Sequence, residues 1–167
     1  MSSLLPAALA DELIQEFVHE LERLAVLLDS IITDAVYAEV VGHGEIWSAS
    51  LMAALLSQQD IAASWLDARE FLCAGRAAQP EVIETESRQR LQSLLAERHG
   101  QRIVITGFIA RNLAGETVLL GRNGSDYSAT QIGALAGAGR VTIWSDVAGV
   151  YSADPRKVSD ACLLPLL

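Results

Sequence analysis

The chain has 167 residues, with 12 basic and 21 acidic side chains and a formal net charge of −9. The length suits one domain, and a hydrophobic share of 51% excludes an intrinsically disordered chain. The acidic balance argues against a nucleic acid partner, because binding to a phosphate backbone relies on clustered cations. Two cysteines, Cys73 and Cys162, are too few for disulfide bonds to hold together a chain of this length.

The sequence has no signal for a membrane or for export. No apolar run approaches the ~20 residues that cross a bilayer, and no basic segment precedes an apolar one at the start. We therefore expect a cytoplasmic protein with no membrane partner.

Helical patterns fill the first third of the chain. In residues 11–28 the apolar side chains recur at spacings of three and four, which is typical of an amphipathic helix. A second helix is predicted after Ser30 and should stop at residues 42–44, Gly-His-Gly, before a third over residues 45–56. This puts Glu45 in a first helical turn, where exposed N–H groups stabilise a carboxylate.

The rest of the chain alternates strand and helix signals. Strands are predicted at 62–66, 102–109, 116–120 and 141–144, and helices at 84–99 and 125–138, the latter with Ser125 as N-cap and Gly137 at its end. Such alternation through short glycine-rich turns indicates a layered α/β domain with a mainly parallel sheet. We expect residues 1–58 to form a helical part and residues 59–167 an α/β core.

The densest polar cluster is at residues 120–127, where a strand end, a glycine turn and a helix start follow one another. A helix N-terminus at the carboxyl end of a strand offers free N–H donors to an anion. The planar guanidinium group of Arg122 can donate two hydrogen bonds to a carboxylate or phosphate. Asp126 flanks the same turn. A glycine turn before a serine cap is also a common structural feature, so both interpretations stay open at this point.

A second polar cluster covers residues 143–157. A strand end is followed by Ser145 and Asp146, a glycine turn, Tyr151 and the cation Arg156. Hydroxyls, a carboxylate, an aromatic ring and positive charge in one loop suit a nucleotide with its phosphates. The same residues also fit a turn-rich loop with an internal Asp–Arg pair.

The histidines give no metal signal. His43 stands alone between two glycines, and we interpret it as a loop residue rather than as a general base or a ligand. His19 and His99 lie on predicted helices without paired ligands. We assign no metal site to the protein itself.

Two long strings, GRNGSDYSAT and IWSDVAGVYSADPR, resemble the amino acid kinase family, and the first points within it to the aspartate kinases. The strings VGHGEIWSA and ITGFI match the same family in the same order, so the resemblance extends from about Tyr37 onward. It implies a layered α/β/α fold, here incomplete and preceded by a helical segment. It also implies an enzyme of amino-acid biosynthesis that transfers the γ-phosphoryl group of Mg-ATP to the side-chain carboxylate of L-aspartate.

The resemblance assigns an aspartate pocket to five residues. Glu45 would hold the α-ammonium group and Arg122 the α-carboxylate, while Phe108, Ser125 and Asp126 would line the same pocket. Arg122 and Asp126 would also be the catalytic pair, with Asp126 organising charge near the transferred phosphoryl group.

The resemblance assigns the ATP loop to Ser145, Asp146, Tyr151 and Arg156. Asp146 and Tyr151 would position the nucleotide, and Arg156 would approach its phosphates. Mg²⁺ would arrive with the nucleotide and be held chiefly by the phosphates.

The sequence also departs from the aspartate kinases. Their opening Lys-Phe-Gly-Gly turn, whose lysine stabilises the transition state, and their later Gly-Ala-Lys-Val-Leu-His stretch do not occur here, where the only lysine is Lys157. We therefore expect a kinase domain truncated at both ends and inactive alone. A sheet cut in this way exposes apolar surface, so we also expect self-association into a homo-oligomer.

Two other functions remain open. A non-catalytic module that binds a nucleotide or an amino acid, or that only assembles with itself, fits the same motifs without chemistry. A glutamate or N-acetylglutamate kinase would keep the family and change the substrate, although the wording GRNGSDY favours aspartate.

Overall fold

A computed structural model describes residues 4–75, 80–144 and 149–164 of the chain. Its elements follow in the order α1 (Ala7–Leu28), α2 (Asp34–Ser57), β1 (Ala63–Leu66), a short 3-10 helix (Ala68–Glu70), α3 (Glu84–Glu97), β2 (Arg102–Ile105), β3 (Ile109–Arg111), β4 (Thr117–Leu119) and α4 (Gly124–Ala136). The predicted α/β class is confirmed. Within these residues no helix is long and apolar enough to span a membrane.

The strands form two pairs. β1 and β2 are parallel, with Ala63 opposite Arg102 and Leu66 opposite Ile105. β3 and β4 form an antiparallel hairpin. The single strand predicted over residues 102–109 is therefore wrong, because the chain bends at residues 106–108 and leaves one pair to enter the other.

The strand predicted at residues 141–144 is also wrong. In the described part of the chain these residues pair with no neighbouring strand, and the Trp144 side chain is 91% exposed. Val141 instead packs against the bare backbone of Gly133 in α4. The apolar run satisfies the strand pattern, but no described strand lies beside it.

α2 is one continuous helix through the Gly-His-Gly string, so the predicted break at residues 42–44 is wrong. Gly42 is buried against β3, and a Cβ atom there would lie 2.7 Å from Cγ2 of Ile109. The missing side chain lets the helix lie close to the sheet, which offsets the helix propensity that glycine lacks. Glu45 consequently lies in mid-helix rather than in a first turn.

Helix α1 is amphipathic, as predicted, and packs on α2. Leu5, Ala10 and Leu13 form a small cluster with residues of α2 such as Leu51 and Leu55. α2 in turn contacts all four strands. The division into residues 1–58 and 59–167 stays a prediction.

Helices α3 and α4 pack together over the main core. That core contains the buried side chains Leu66, Phe71, Leu72, Leu91, Ala110, Leu120 and Leu135. The Arg88 guanidinium of α3 donates to the last carbonyls of α4, on Ala134 at 3.1 Å and Leu135 at 3.0 Å. Asn123 occupies the N-cap position of α4, without a side-chain capping hydrogen bond, in place of the predicted Ser125, and the helix ends at Gly137 as predicted.

The close contact at Gly42 predicts opposite effects for two glycines of α2. We expect Gly42→Ala to lower the free energy of unfolding by about 1–3 kcal/mol, because the new methyl group overpacks against Ile109. Gly44→Ala places a methyl group where nothing lies within 4 Å, so it should raise stability by up to about 1 kcal/mol through helix propensity. Urea unfolding of both variants tests this, and equal signs for the two would contradict the packing we describe.

Candidate functional site

A cavity of about 420 Å³ lies where the carboxyl end of β2 meets the start of α4. Its polar lining comes from Glu45 of α2, the bend at Thr106 and Gly107, and Ser125 and Ser128 of α4. The remaining lining residues are Ile103, Ile105, Ala129 and Ile132. A helix N-terminus beside a strand end is the usual ligand position in open α/β sheets.

Glu45 is the carboxylate of this cavity. Its partial burial raises the pKa above the ordinary value of 4.5, and the backbone N–H of Gly107 offsets this only in part. Burial penalises the charged form of the carboxyl group, so a cation that enters the cavity gains from pairing with it. The arrangement therefore suits a ligand with an ammonium group.

The bend at residues 106–108 is pinned on both sides. Phe108 has a φ of +63°, in the left-handed region that bulky residues rarely adopt. Its N–H donates to Ser128 Oγ at 2.8 Å, and its carbonyl accepts the N–H of Leu120 at 2.8 Å. The ring packs over Gly124, where a Cβ atom would lie 2.5 Å from the ring atom Cδ2.

The structure gathers some of the aspartate-side candidates and leaves others at the surface. Glu45 and Ser125 line the cavity, and Phe108 packs beside it on the start of α4. Arg122 is exposed in the turn before α4, and Asp126 is exposed in the first turn of that helix. Both charged residues thus reach solvent at the helix terminus that closes the cavity.

The nucleotide-side candidates are described only in part. Ser145 and Asp146 lie outside the described residues. Tyr151 is half-buried and forms an isolated bridge with Leu163. Arg156 is exposed and its Nε donates to Asp154 Oδ1 at 3.2 Å, a hydrogen bond that lowers the pKa of Asp154. The internal Asp–Arg pair is therefore present in this loop.

A polar network that sequence reasoning missed orients α2. Glu39 accepts hydrogen bonds from Arg69 Nη1 at 2.7 Å and from the Thr117 hydroxyl, and Arg69 also pairs with Asp67 at 2.6 Å. Glu39 and Thr117 are separated by 78 positions, so no local pattern signals their contact.

His43 belongs to the same region and is not a loop residue, so that interpretation is wrong. It is 1% exposed, within α2. Its Nδ1 lies 2.7 Å from the Glu39 carbonyl oxygen, and its Nε2 lies 2.8 Å from Glu20 Oε2 and from Arg23 Nη2. These bonds join α1 to α2. Across the described ranges no three His, Cys, Asp or Glu side chains come together in a way that would hold a metal ion.

Residues 6–167 match the family model described as "Amino acid kinase family". The chain belongs to the amino acid kinase family. The resemblance carried by the strings GRNGSDYSAT and IWSDVAGVYSADPR is thereby confirmed.

The chain is similar to several aspartokinases. The bifunctional aspartokinase/homoserine dehydrogenase 2 of Escherichia coli (strain K12) is 74% identical over 167 residues, which are 100% of this chain and 21% of that protein. The lysine-sensitive aspartokinase 3 of the same organism is 37% identical over 155 residues, 88% of this chain and 34% of the relative. The chain thus spans well under half the length of these relatives.

A solved structure has the same fold. Escherichia coli aspartokinase III in complex with aspartate and ADP superposes with a TM-score of 0.82 and 33% sequence identity. The match covers 90% of this chain and 35% of that one. The α/β arrangement described above is therefore that of part of an aspartokinase.

Two glutamates of α2 should respond to pH in opposite ways. The raised pKa of Glu45 costs stability once the pH exceeds 4.5, so Glu45→Gln should be more stable than the native chain at pH 7 and should lose that advantage below pH 4.5. Burial alone would raise the pKa of Glu39, but the Thr117 hydrogen bond and the Arg69 charge together lower it. Glu39→Gln should therefore be less stable at pH 7, with the deficit shrinking as the pH falls below 4.5.

Urea unfolding at pH 7, 5.5 and 4 distinguishes these signs. The two variants act as controls for each other, because each replaces a carboxylate of the same helix by its amide. Loss of stability in both variants at pH 7 would contradict the environment assigned to Glu45.

Proposed function

We propose that this chain supplies the aspartate-binding side and part of the nucleotide-binding side of an aspartate kinase. The reaction is transfer of the γ-phosphoryl group of ATP to the side-chain carboxylate of L-aspartate. The observation that carries the proposal is the half-buried Glu45 carboxylate, which shares a cavity with the N-terminal turns of α4. The names of the family relatives, and the aspartate and ADP held by aspartokinase III, support the same substrates.

The cavity offers complementary charge to an amino acid. The Glu45 carboxylate accepts hydrogen bonds from the α-ammonium group. This ion pair offsets the cost of burying the carboxylate charge. Arg122 and the free N–H groups at the start of α4 take the α-carboxylate, since both present donors and positive charge to an anion. The isoleucines of the wall offer an apolar surface to the methylene group between the two charged ends.

Phosphoryl transfer requires alignment and charge stabilisation more than covalent chemistry by the protein. Asp126 and Arg122 flank the start of α4 and would organise charge around the transferred group. Tyr151 and Arg156, with Ser145 and Asp146, would hold the nucleotide. Arg156 has an exposed guanidinium, which can reach a phosphate once its hydrogen bond to Asp154 is broken.

Mg²⁺ would enter with the nucleotide and neutralise phosphate charge when bound. Its preferred ligands are oxygens, chiefly those of the phosphates, and the exposed Asp126 carboxylate is a fitting additional one. The protein's own part is to hold the acceptor carboxylate in line with the phosphates.

We expect the 167 residues to bind ligands without measurable turnover. The lysines that aspartate kinases carry in Lys-Phe-Gly-Gly and Gly-Ala-Lys-Val-Leu-His strings are not among them. Removal of one preorganised charge from a transition state typically costs about 10²–10³ in rate. Rapid aspartate-dependent release of ADP would overturn this expectation.

We also infer that the chain self-associates. Helix α1 exposes the side chains Ile14, Val18 and Leu21 at fractions of 42%, 48% and 51%, and their spacing places them on one face. Light scattering measures the assembly. A stable dimer that gives no heat with either ligand would favour the alternative of a pure assembly module.

The cytoplasmic location stays a prediction.

Calorimetric titration with L-aspartate tests the proposed pocket. We expect Arg122→Ala to weaken binding by about 10- to 100-fold, because a charge-assisted hydrogen bond is worth about 1.5–3 kcal/mol. Arg140→Ala is the matched control, since Arg140 is also exposed but follows the other end of α4.

L-Glutamate serves as the ligand control and separates an aspartate site from a glutamate site. Equal effects of the two arginine variants, or tighter binding of glutamate than of aspartate, would count against the proposal. Absence of heat with any amino acid or with Mg-ATP in the native chain would sink it.

A further inference from the structure

Ser128 is a buried hydroxyl group that no catalytic or binding role above uses. It is 1% exposed, in the second turn of α4. It donates to the carbonyl of Gly124 at 2.6 Å and accepts the N–H of Phe108 at 2.8 Å. The side chain thus joins the first turn of α4 to the bend that follows β2.

The bond to Ser128 supports a strained residue. A φ of +63° at Phe108 is sterically unfavourable for a side chain of that size. Such a conformation persists only where its surroundings fix it on several sides. Here the fixing contacts are the Ser128 hydroxyl, the N–H of Leu120 and the flat surface that Gly124 offers to the ring.

The conformation of Phe108 determines where Gly107 lies. A Cβ atom on Gly107 would be 3.4 Å from Cα of Ser125, so the bend already touches the start of α4. On its other side Gly107 lines the cavity together with Glu45, and its N–H lowers the pKa of that carboxyl group. Gly107 is therefore the link between the two polar walls of the cavity.

We propose that Ser128 is a positioning residue, whose hydroxyl holds the Phe108 backbone left-handed so that Gly107 keeps Glu45 and Ser125 at the spacing that a ligand requires. The inference rests on the proposed function in so far as that ligand is an amino acid. Ser128 itself lies in the wall of the cavity, but both hydrogen bonds of its hydroxyl go to the backbone, so its effect on Glu45 passes through Phe108 and Gly107.

Removal of the hydroxyl has a defined consequence at Glu45. In Ser128→Ala the N–H of Phe108 loses its acceptor. This favours a change of the Phe108 backbone from the left-handed region to a conformation with negative φ. The Gly107 N–H then withdraws from the carboxylate, and the pKa of Glu45 rises further. A residue that only stabilised the fold would leave that titration unchanged.

The chain contains a matched control in α3. Ser87 is also fully buried, donates to the carbonyl four residues before it, on Ile83 at 2.8 Å, and accepts a backbone N–H from a distant segment, that of Cys73 at 3.0 Å. Ser87 does not line the cavity, and neither do its partners Ile83 and Cys73. Ser87→Ala thus removes the same pattern of bonds elsewhere in the core.

The experiment compares Ser128→Ala, Ser128→Thr and Ser87→Ala with the native chain. The measurements are the carboxyl ¹³C titration of Glu45, amide hydrogen exchange at Phe108, the dissociation constant for L-aspartate and the urea midpoint. We expect Ser128→Ala to raise the Glu45 pKa, to speed exchange at Phe108 at least about tenfold and to weaken aspartate binding about tenfold. Ser128→Thr keeps a hydroxyl that can bond the preceding turn and should restore the native titration.

Ser87→Ala should lower the urea midpoint with no change in the Glu45 titration or in aspartate binding. The inference is overturned if Ser128→Ala titrates like the native chain, or if Ser87→Ala shifts Glu45 equally. If Ser128→Ala shifts Glu45 but the native chain binds no aspartate, the positioning role stands and the proposed function fails. If Ser128→Thr does not fold, the comparison of the two alanine variants still decides.

Discussion

The contact between the bare backbone of Gly42 and the side chain of Ile109 sets how closely α2, the helix that carries Glu45, approaches the sheet beside the cavity. It lets α2 lie against β3 at a distance that any larger residue would prevent. Glu45 follows shortly on the same helix, so the depth of its carboxylate depends on that approach. A helix displaced outward would return Glu45 to solvent and remove the cost that makes an incoming cation favourable.

Apolar contact alone leaves a helix free to rotate, and polar bonds remove that freedom. The Glu39 carboxylate is bonded to Arg69 and Thr117, which belong to the 3-10 helix and to β4. His43 adds bonds to Glu20 and Arg23 of α1. Breaking a partly buried ion pair is costly, so this network opposes rotation of α2, the helix that brings Glu45 to the cavity beside the bend after β2.

Local patterns in the sequence predicted α1, α3 and β1, because amphipathic spacing and short apolar runs record which side chains face a core. They failed where a distant contact decides the backbone. The glycines of α2 look like a helix break until Ile109 is placed beside them. The apolar run over residues 102–109 looks like one strand, and only Ser128 and Gly124 reveal why it bends.

The site was predicted unevenly for the same reason. Motif strings identified Glu45 and Ser125, which line the cavity, together with the exposed Arg122. The strings ITGFI and GRNGSDYSAT contain Gly107 and Ser128 but assigned no role to either, because Gly107 acts through its backbone N–H and the Ser128 hydroxyl faces another part of the backbone. Glu39 and Thr117 stand too far apart in the chain for any local pattern.

The contact of Arg88 with the end of α4 gives that helix an electrostatic asymmetry. A helix carries a partial positive charge at its N-terminus and a partial negative charge at its C-terminus. The Arg88 guanidinium, which also pairs with Glu84, donates to two of the last carbonyls and so weakens the negative pole, while Asp126 in the first turn partly offsets the positive pole beside the cavity. Since salt screens such a field over about 8–10 Å, the remaining pull on an anion is confined to the mouth of the cavity.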